Sequence, residues 1–504
     1  MSMTTASTTY FEQVAEQWDT LRTGYFTEAV RESAIAKAYL RPEMVVADVG
    51  AGTGFMAAGL APLVNKVYVL DGSAAMLDVA RRNLAHAKRD NVEFHEADGQ
   101  SLPLPDGSVD AVFANMYLHH CPDPLAAIQE MVRVLRPGGR LVITDTDAHN
   151  YEWMRQEMAD VWLGFDRAQI RAWFREAGLV NVLVDCTGQS CCAESHTLRA
   201  TITDAARREA KISVFVAAGS TRVLGTREEV QAHYGQRVAS NDAESGCSCS
   251  GTSQAGEDSC CSSSEQVPNA LQIGYSAEEL AQIPAEAANL SLGCGNPGAM
   301  ASLRPGQVVL DIGSGGGIDA FYAARRVGPA GKVIGLDMTP QMIERARKSA
   351  AEAGLGQVEF RLGNAQALPI EDGTVDVILS NCVINLAEDK GKVFEEAYRV
   401  MKDGGRLSIS DVVTEQALPM SLRGDARRWG DCVHGALPER EYLDLIAQAG
   451  FTDIKATPSG IGGEIEGVRA YSLSVSARKG KATDDVSEVI PLKLTTTQRK
   501  SCCG

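Results

Sequence analysis

Three cysteines lie far apart in the later half of this 504-residue sequence: Cys294 in SLGCGNP, Cys382 in SNCVINL and Cys432 in GDCVHGAL. Cys382 follows an apolar run, VDVIL, that reads as a buried strand, so its thiol should stand at a strand's carboxyl end. Three thiolates supplied by separate segments would make a pyramidal site for a soft trivalent centre, by the softness rule that governs thiolate metal sites. Zinc is the competing ion, but these residues offer neither a clear fourth ligand nor zinc-type spacing, and C-x-x-C occurs nowhere in the chain. Of thirteen cysteines in all, six form adjacent pairs: Cys191-Cys192, Cys260-Cys261 and Cys502-Cys503. Neighbouring Cα atoms sit about 3.8 Å apart, below the usual disulfide range, so such pairs bridge only with strain. They read as reduced thiols open to a soft ligand, or, for several, as small buried apolar side chains.

The elements that must position these thiols come from an internal repeat. VVADVGAGTGF (45–55) matches VVLDIGSGGGI (308–318), and VYVLDGSAAMLDVARRNL (67–84) matches VIGLDMTPQMIERARKSA (333–350). LPLPDGSVDAVFANMYL (102–118) matches LPIEDGTVDVILSNCVI (368–384), and VLRPGGRLVITD (134–145) matches VMKDGGRLSISD (400–411). A period this long means duplicated domains rather than a solenoid. Each copy reads strand, Gly-rich turn, helix, strand, acid, helix, strand. Continuous apolar strands alternating with helical patterns predict an α/β fold whose mostly parallel sheet is covered by helices on both faces.

The turn after the first strand is D-x-G-x-G-x-G in both copies: Asp48, Gly50, Gly52, Gly54, and Asp311, Gly313, Gly315, Gly317. Glycines let the backbone approach a ligand at the crevice beyond the strands' carboxyl ends. A dinucleotide site reads G-x-G-x-x-G; here the third glycine comes one residue early and an acid opens the motif. The pattern resembles the class I methyltransferase fold, whose S-adenosyl-L-methionine carries an amino group and a sulfonium but no phosphate. Asp71 and Asp337 end the second strand of each copy, where acids can hydrogen-bond both ribose hydroxyls. Asp98 and Asn364 take the place where that family contacts the adenine amino group. The expectation is two tandem Rossmann-like class I methyltransferase domains.

The copies differ in their thiols. Cys382 stands where the first copy has Met116; approximate alignment sets Cys294 against Arg31 and Cys432 against Asp160. The second copy is similar to the arsenite methyltransferases in LSLGCGNP, DIGSGGGID, GLDMTPQMI (which holds Met338), SNCVINL and GDCVHGALP, over roughly 229–478. The resemblance implies that Cys382 and Cys432 hold arsenic throughout, with Cys294 joining for the trivalent substrate. It also implies accessory thiols among Cys247, Cys249, Cys260 and Cys261, and in the terminal pair Cys502 and Cys503. The first copy's MYLHHCPDP is similar to the ubiquinone and menaquinone methyltransferases, whose acceptor pockets hold an aromatic residue and histidines. A further thiol cluster there, Cys186, Cys191 and Cys192, is read either as a metalloid or mercury-like ion site or as packing. His119 and His120 are read as structural or pocket-lining.

A length of 504 residues calls for two or three domains. The expected boundaries are 1–224 for the first domain, 240–266 for a Ser/Gly/Cys-rich flexible linker, 267–480 for the second domain and 481–504 for a loose tail. A formal net charge of −17 argues against nucleic acid and anionic membrane surfaces as partners. No apolar run is long enough to span a bilayer and no secretory signal opens the chain, so the expected compartment is the cytosol. The expected activity is methyl transfer from S-adenosyl-L-methionine to cysteine-bound arsenic(III), with metalloid detoxification as its purpose. Thioredoxin or glutathione would serve as thiol reductant. Two rivals remain open: methylation of a quinone-like or phenolic molecule by the first domain, and a thiol-rich metalloid buffer or sensor without turnover.

Overall fold

The computed structural model describes residues 5–194, 209–239, 269–284, 287–288, 293–430 and 432–480. The expected linker with Cys247, Cys249, Cys260 and Cys261, and the expected tail with Cys502 and Cys503, lie outside the described residues. The described residues divide into two compact units, one up to Val223 and one from Leu224. The helix Thr226–Ala239 thus belongs to the second unit, ahead of the expected linker.

In the first unit seven strands form one sheet: β1 (Val45–Val49), β2 (Lys66–Asp71), β3 (Val92–Glu96), β4 (Val109–Asn115), β5 (Leu135–Thr146), β6 (Leu179–Glu194) and β7 (Glu209–Thr221). Their order is β3-β2-β1-β4-β5-β7-β6. The first five run parallel, and β7 is antiparallel to both β5 and β6. The second unit repeats this with β8 (Val308–Ile312), β9 (Lys332–Asp337), β10 (Val358–Leu362), β11 (Val375–Asn381), β12 (Met401–Thr414), β13 (Phe451–Ile465) and β14 (Val468–Lys479), in the order β10-β9-β8-β11-β12-β14-β13. The central strands are apolar on both faces because helices cover both. Val46, Val112 and Phe113, like Val309, Val377 and Leu379, are fully buried.

In each sheet the chain crosses over between β1 and β4, or β8 and β11, so the strand order reverses there. A crevice opens at such a switch point beyond the carboxyl ends of the strands. The glycine turn, the acid ending the second strand and Cys382, the residue after β11, all reach that edge.

Candidate active site

In the second unit the crevice encloses about 1110 Å³ of empty space, part of it open to solvent. Gly313, Gly315, Asp337, Met338, Asn364 and Cys382 all line it. The Asp337 carboxylate accepts Gly315 N–H at 3.0 Å and Thr339 N–H at 2.8 Å, which ties the glycine turn to the strand end. Burial pushes the Asp337 pKa up, opposed by those two backbone donors. Gly315 has φ +50°, and a Cβ there would meet no atom within 4 Å. Its bare backbone therefore faces the empty cleft.

Asp311, which opens the motif, does not line the crevice. It is buried within β8, and Asp48 is buried in the same way within β1. Asp48 accepts the N–H of Ala57 at 2.9 Å, so this acid fastens the following helix from behind the glycine turn. Burial lifts the Asp48 pKa to about 7, and that of Asp311 well above the usual range, with Asp319 and Asp337 adding to the latter. Gly317 also stands back from the cleft: with φ +95°, a Cβ there would press on Phe321 and Phe360.

The three predicted thiols come together. Cys294, Cys382 and Cys432 are buried in one cluster with Val412, Ala436 and Ala470. Cys382 is the middle member, its thiol paired with those of Cys294 and Cys432, and the Cys432 thiol donates to the Cys382 carbonyl at 3.2 Å. Cys382 sits at φ +60°, a left-handed conformation that the first copy repeats at Met116, φ +53°. The shared backbone kink turns this side chain at the strand end, and only the residue type differs between copies. Of the trio, Cys382 alone lines the crevice. The three sulfurs do not all fall within 4.8 Å of one another, so a shared ligand would draw the outer two inward.

Hydrogen bonds divide the protons unequally among these thiols. The Cys382 pKa is pushed well up by its two thiol neighbours and by burial. That of Cys432 is lowered by Cys382, with Tyr234 assisting against burial. At Cys294 the contact with Cys382 is the largest influence and favours the thiolate, but burial together with the negative charge of Asp411 and Cys432 outweighs it and the pKa rises. Below the cluster, Asp411 accepts the Tyr442 hydroxyl at 3.1 Å and the Asn385 N–H at 3.2 Å, and burial lifts its pKa to about 7.

Sequence reasoning missed the part played by the helix Thr226–Ala239. Its Tyr234 lines the crevice and stands 3.6 Å from the Cys432 sulfur, while Gln231 donates to the Met338 carbonyl at 3.0 Å. Its sequence signals were helical propensity just before a Ser/Gly-rich stretch and a family resemblance that begins near residue 229.

The first unit repeats the turn. Gly52 N–H and Ser73 N–H each donate to Asp71 at 2.8 Å, and Gln100 N–H donates to Asp98 at 3.0 Å. Here, however, the Tyr117 ring lies against both Gly50 and Gly99, and a Cβ on either would fall inside it. Tyr117 is buried and its hydroxyl has no hydrogen-bond partner. The second copy has Val383 there, and Val383 and Ala365 both line the open crevice. The larger ring fills the corresponding space in the first copy.

The cysteine cluster expected in the first unit is split. Cys191 and Cys192 are neighbours on β6 and point to opposite faces, so the first is buried and the second exposed. The Cys186 sulfur accepts the N–H of Gly188 at 3.3 Å. Cys191 instead faces a separate cavity of about 430 Å³, with Tyr10, Phe11, Trp18, Met116, His119 and Asp160 among its lining.

Comparison with known proteins agrees with this architecture. Two family models, each described as a methyltransferase domain, match residues 47–143 and 303–450. The arsenite methyltransferase of Halobacterium salinarum is 42% identical over 233 residues, which is 46% of this chain and 59% of that protein. The arsenite methyltransferase of Aquipseudomonas alcaligenes is 38% identical over 210 residues, 39% of this chain and 60% of that protein. The chain thus spans about 60% of the length of these curated relatives. A demethylmenaquinone methyltransferase of Lactococcus lactis is 40% identical over 156 residues, 30% of this chain and 62% of that protein. A solved structure of an arsenic(III) S-adenosylmethionine methyltransferase from Chlamydomonas reinhardtii is 35% identical, covering 42% of this chain and 75% of that one, with a TM-score of 0.37. The chain therefore carries two methyltransferase domains, one in each half, and arsenite methyltransferases are among its homologues over part of its length.

Proposed function

We propose that the second unit transfers methyl groups from S-adenosyl-L-methionine to arsenic(III) held by Cys294, Cys382 and Cys432. One observation carries this reading: Cys382 touches the other two thiols and also lines the crevice that holds Gly315, Asp337 and Asn364. A nucleoside fits the residues there. Asp337 is already oriented by two backbone donors, the Gly315 backbone is bare, and Asn364 supplies a side-chain amide. When bound, the sulfonium supplies an electrophilic methyl group.

The chain's own residues do the rest by holding and positioning. Three thiols exchange for the three hydroxyls of arsenite, releasing three waters and leaving the arsenic lone pair on the open side. That lone pair carries no proton, so no general base is required, and alignment of the two reactants is the main contribution. The lowered pKa of Cys432 makes it the first thiolate available for exchange. Methylation takes arsenic from the trivalent to the pentavalent state, so a further round requires two electrons from a thiol reductant of the thioredoxin or glutathione class. Detoxification of arsenic in the cytosol is the role that follows. Among the described residues no helix is long and apolar enough to cross a membrane.

The aromatic walls of the first unit's cavity favour a second reading for that half, a flat phenolic or quinone-like acceptor. Incubating the full chain with arsenite, labelled S-adenosyl-L-methionine and a thiol tests the main reading. Methylarsenicals should form, and should disappear in Cys382→Ser while cofactor binding persists. Undiminished methylarsenical formation by Cys382→Ser would refute it.

A further inference from the structure

The second cavity holds a group of donors that the reaction above does not use. His119, His120 and Asp160 are all buried, and each offers a ligand atom within 4.8 Å of the others. His119 Nε2 stands 3.9 Å from Asp160 Oδ1. On the far side of the ring, His119 Nδ1 is 2.7 Å from Asp145 Oδ1, and Asp145 is completely buried. His120 Nδ1 faces the carbonyl of Ala159 at 3.4 Å. Both rings therefore have Nδ1 turned to an acceptor, which leaves Nε2 as the atom free to ligate. A carboxylate or carbonyl behind the imidazole is the support that metal-binding histidines ordinarily have.

Asp160 provides an independent indication. Its side chain is 2% exposed, yet its Oδ1 has no hydrogen-bond partner. A buried carboxylate oxygen without a hydrogen bond is costly, His119 Nε2 at 3.9 Å is too distant to supply one, and a cation between Asp160 and the two imidazoles would remove that cost. The duplication sharpens the argument. At the positions of His119 and His120 the second copy has Asn385 and Leu386, and opposite Asp160 it has Cys432. Only at the last of these positions does the second copy present soft sulfur, where the first presents a carboxylate.

We propose that His119, His120 and Asp160 bind a divalent transition-metal ion of the zinc type in the first unit. Two imidazoles and a carboxylate suit zinc and its neighbours better than a soft trivalent centre. The buried thiol of Cys191 lines the same cavity but lies outside this group of three, so the fourth position is open to an oxygen of a bound molecule. Donors about 2 Å from one tetrahedral ion lie about 3.4 Å from each other, so a group already within 4.8 Å has to draw in by little more than an ångström.

The test uses the full-length protein. Metal-free wild type is incubated with and without zinc ion, and imidazole C2 hydrogen exchange is followed residue by residue by mass spectrometry. Zinc should slow exchange several-fold at His119 and His120 and leave the exposed His86 unchanged. Unchanged exchange at His119 and His120 would overturn the proposal. In parallel, zinc retained after dialysis is compared among wild type, His120→Ala and Asp160→Asn, each verified as folded by circular dichroism. Each variant should retain one equivalent less than wild type, whose other thiols are common to all three proteins. Equal retention by all three would likewise overturn the proposal.

Discussion

Replacing Asp337 by asparagine tests how the crevice is assembled. The carboxylate accepts two backbone N–H groups, from Gly315 at 3.0 Å and Thr339 at 2.8 Å, one on each oxygen. Asparagine keeps a single acceptor and turns an amide N–H toward the other donor. One bond to a charged group is lost, worth roughly 1.5–3 kcal/mol, and an N–H is left facing an N–H. If that loss falls on cofactor binding, affinity drops by about 10- to 150-fold. Calorimetric titration of the full chain with S-adenosyl-L-methionine should show one tight site in wild type, weakened by this factor in Asp337→Asn and unaffected by Asp71→Asn. The pH dependence has a definite sign. Burial raises the Asp337 pKa, so as pH falls this carboxylate protonates earlier than an exposed aspartate would, and wild-type affinity falls with it. Asp337→Asn should lack that component. Unchanged affinity in Asp337→Asn, or an equal loss in Asp71→Asn, would refute the assignment.

Three further outcomes follow from the geometry. Gly315→Ala places a residue at φ +50° with open space ahead of it; left-handed backbone costs about 1–2 kcal/mol. It should lose that stability and at least tenfold in cofactor affinity, whereas Gly306→Ala, at φ +81° and outside the crevice, should lose stability alone when both are followed by melting and titration. Tyr117→Val gives the first copy the residue type of the second and should reveal an additional cofactor site by calorimetry; an unaltered stoichiometry would mean that the ring is no obstruction. Asp48 has a pKa raised from 3.8 to about 7, so its contribution to stability is full below pH 4 and is lost as pH rises through 7. The gap corresponds to roughly 4 kcal/mol. Asp48→Asn should therefore melt above wild type at pH 8, with the advantage vanishing by pH 4; a difference independent of pH would contradict this.

The sequence made some features readable and concealed others for definite reasons. Runs such as VVLDI announce strands buried on both faces, and the repeat of four blocks fixes their order twice over. The meeting of Cys294, Cys382 and Cys432 could be anticipated because thiols absent from the first copy stand out against a duplicated background. The position of Asp48 and Asp311 behind the glycine turn was not readable, since an acid in a Gly-rich motif looks the same whether it faces ligand or core. Tyr117 hid for a similar reason: only the distance to Gly50 and Gly99 shows that its ring fills the crevice. The grouping of His119 with Asp145 and Asp160 depends on residues 26 and 41 positions away, brought close by β5 and the loop after it. Cys186, Cys191 and Cys192 looked like a cluster along the chain, but strand alternation separates neighbours onto opposite faces.

The central claim is that three sulfurs hold one arsenic atom beside the crevice. X-ray absorption at the arsenic edge, on the full chain with one equivalent of arsenite, tests it most directly. A shell of three sulfurs is expected in wild type, with one sulfur replaced by oxygen in Cys294→Ser, Cys382→Ser and Cys432→Ser alike. An oxygen shell in wild type, or a three-sulfur shell that survives all three substitutions, would contradict it.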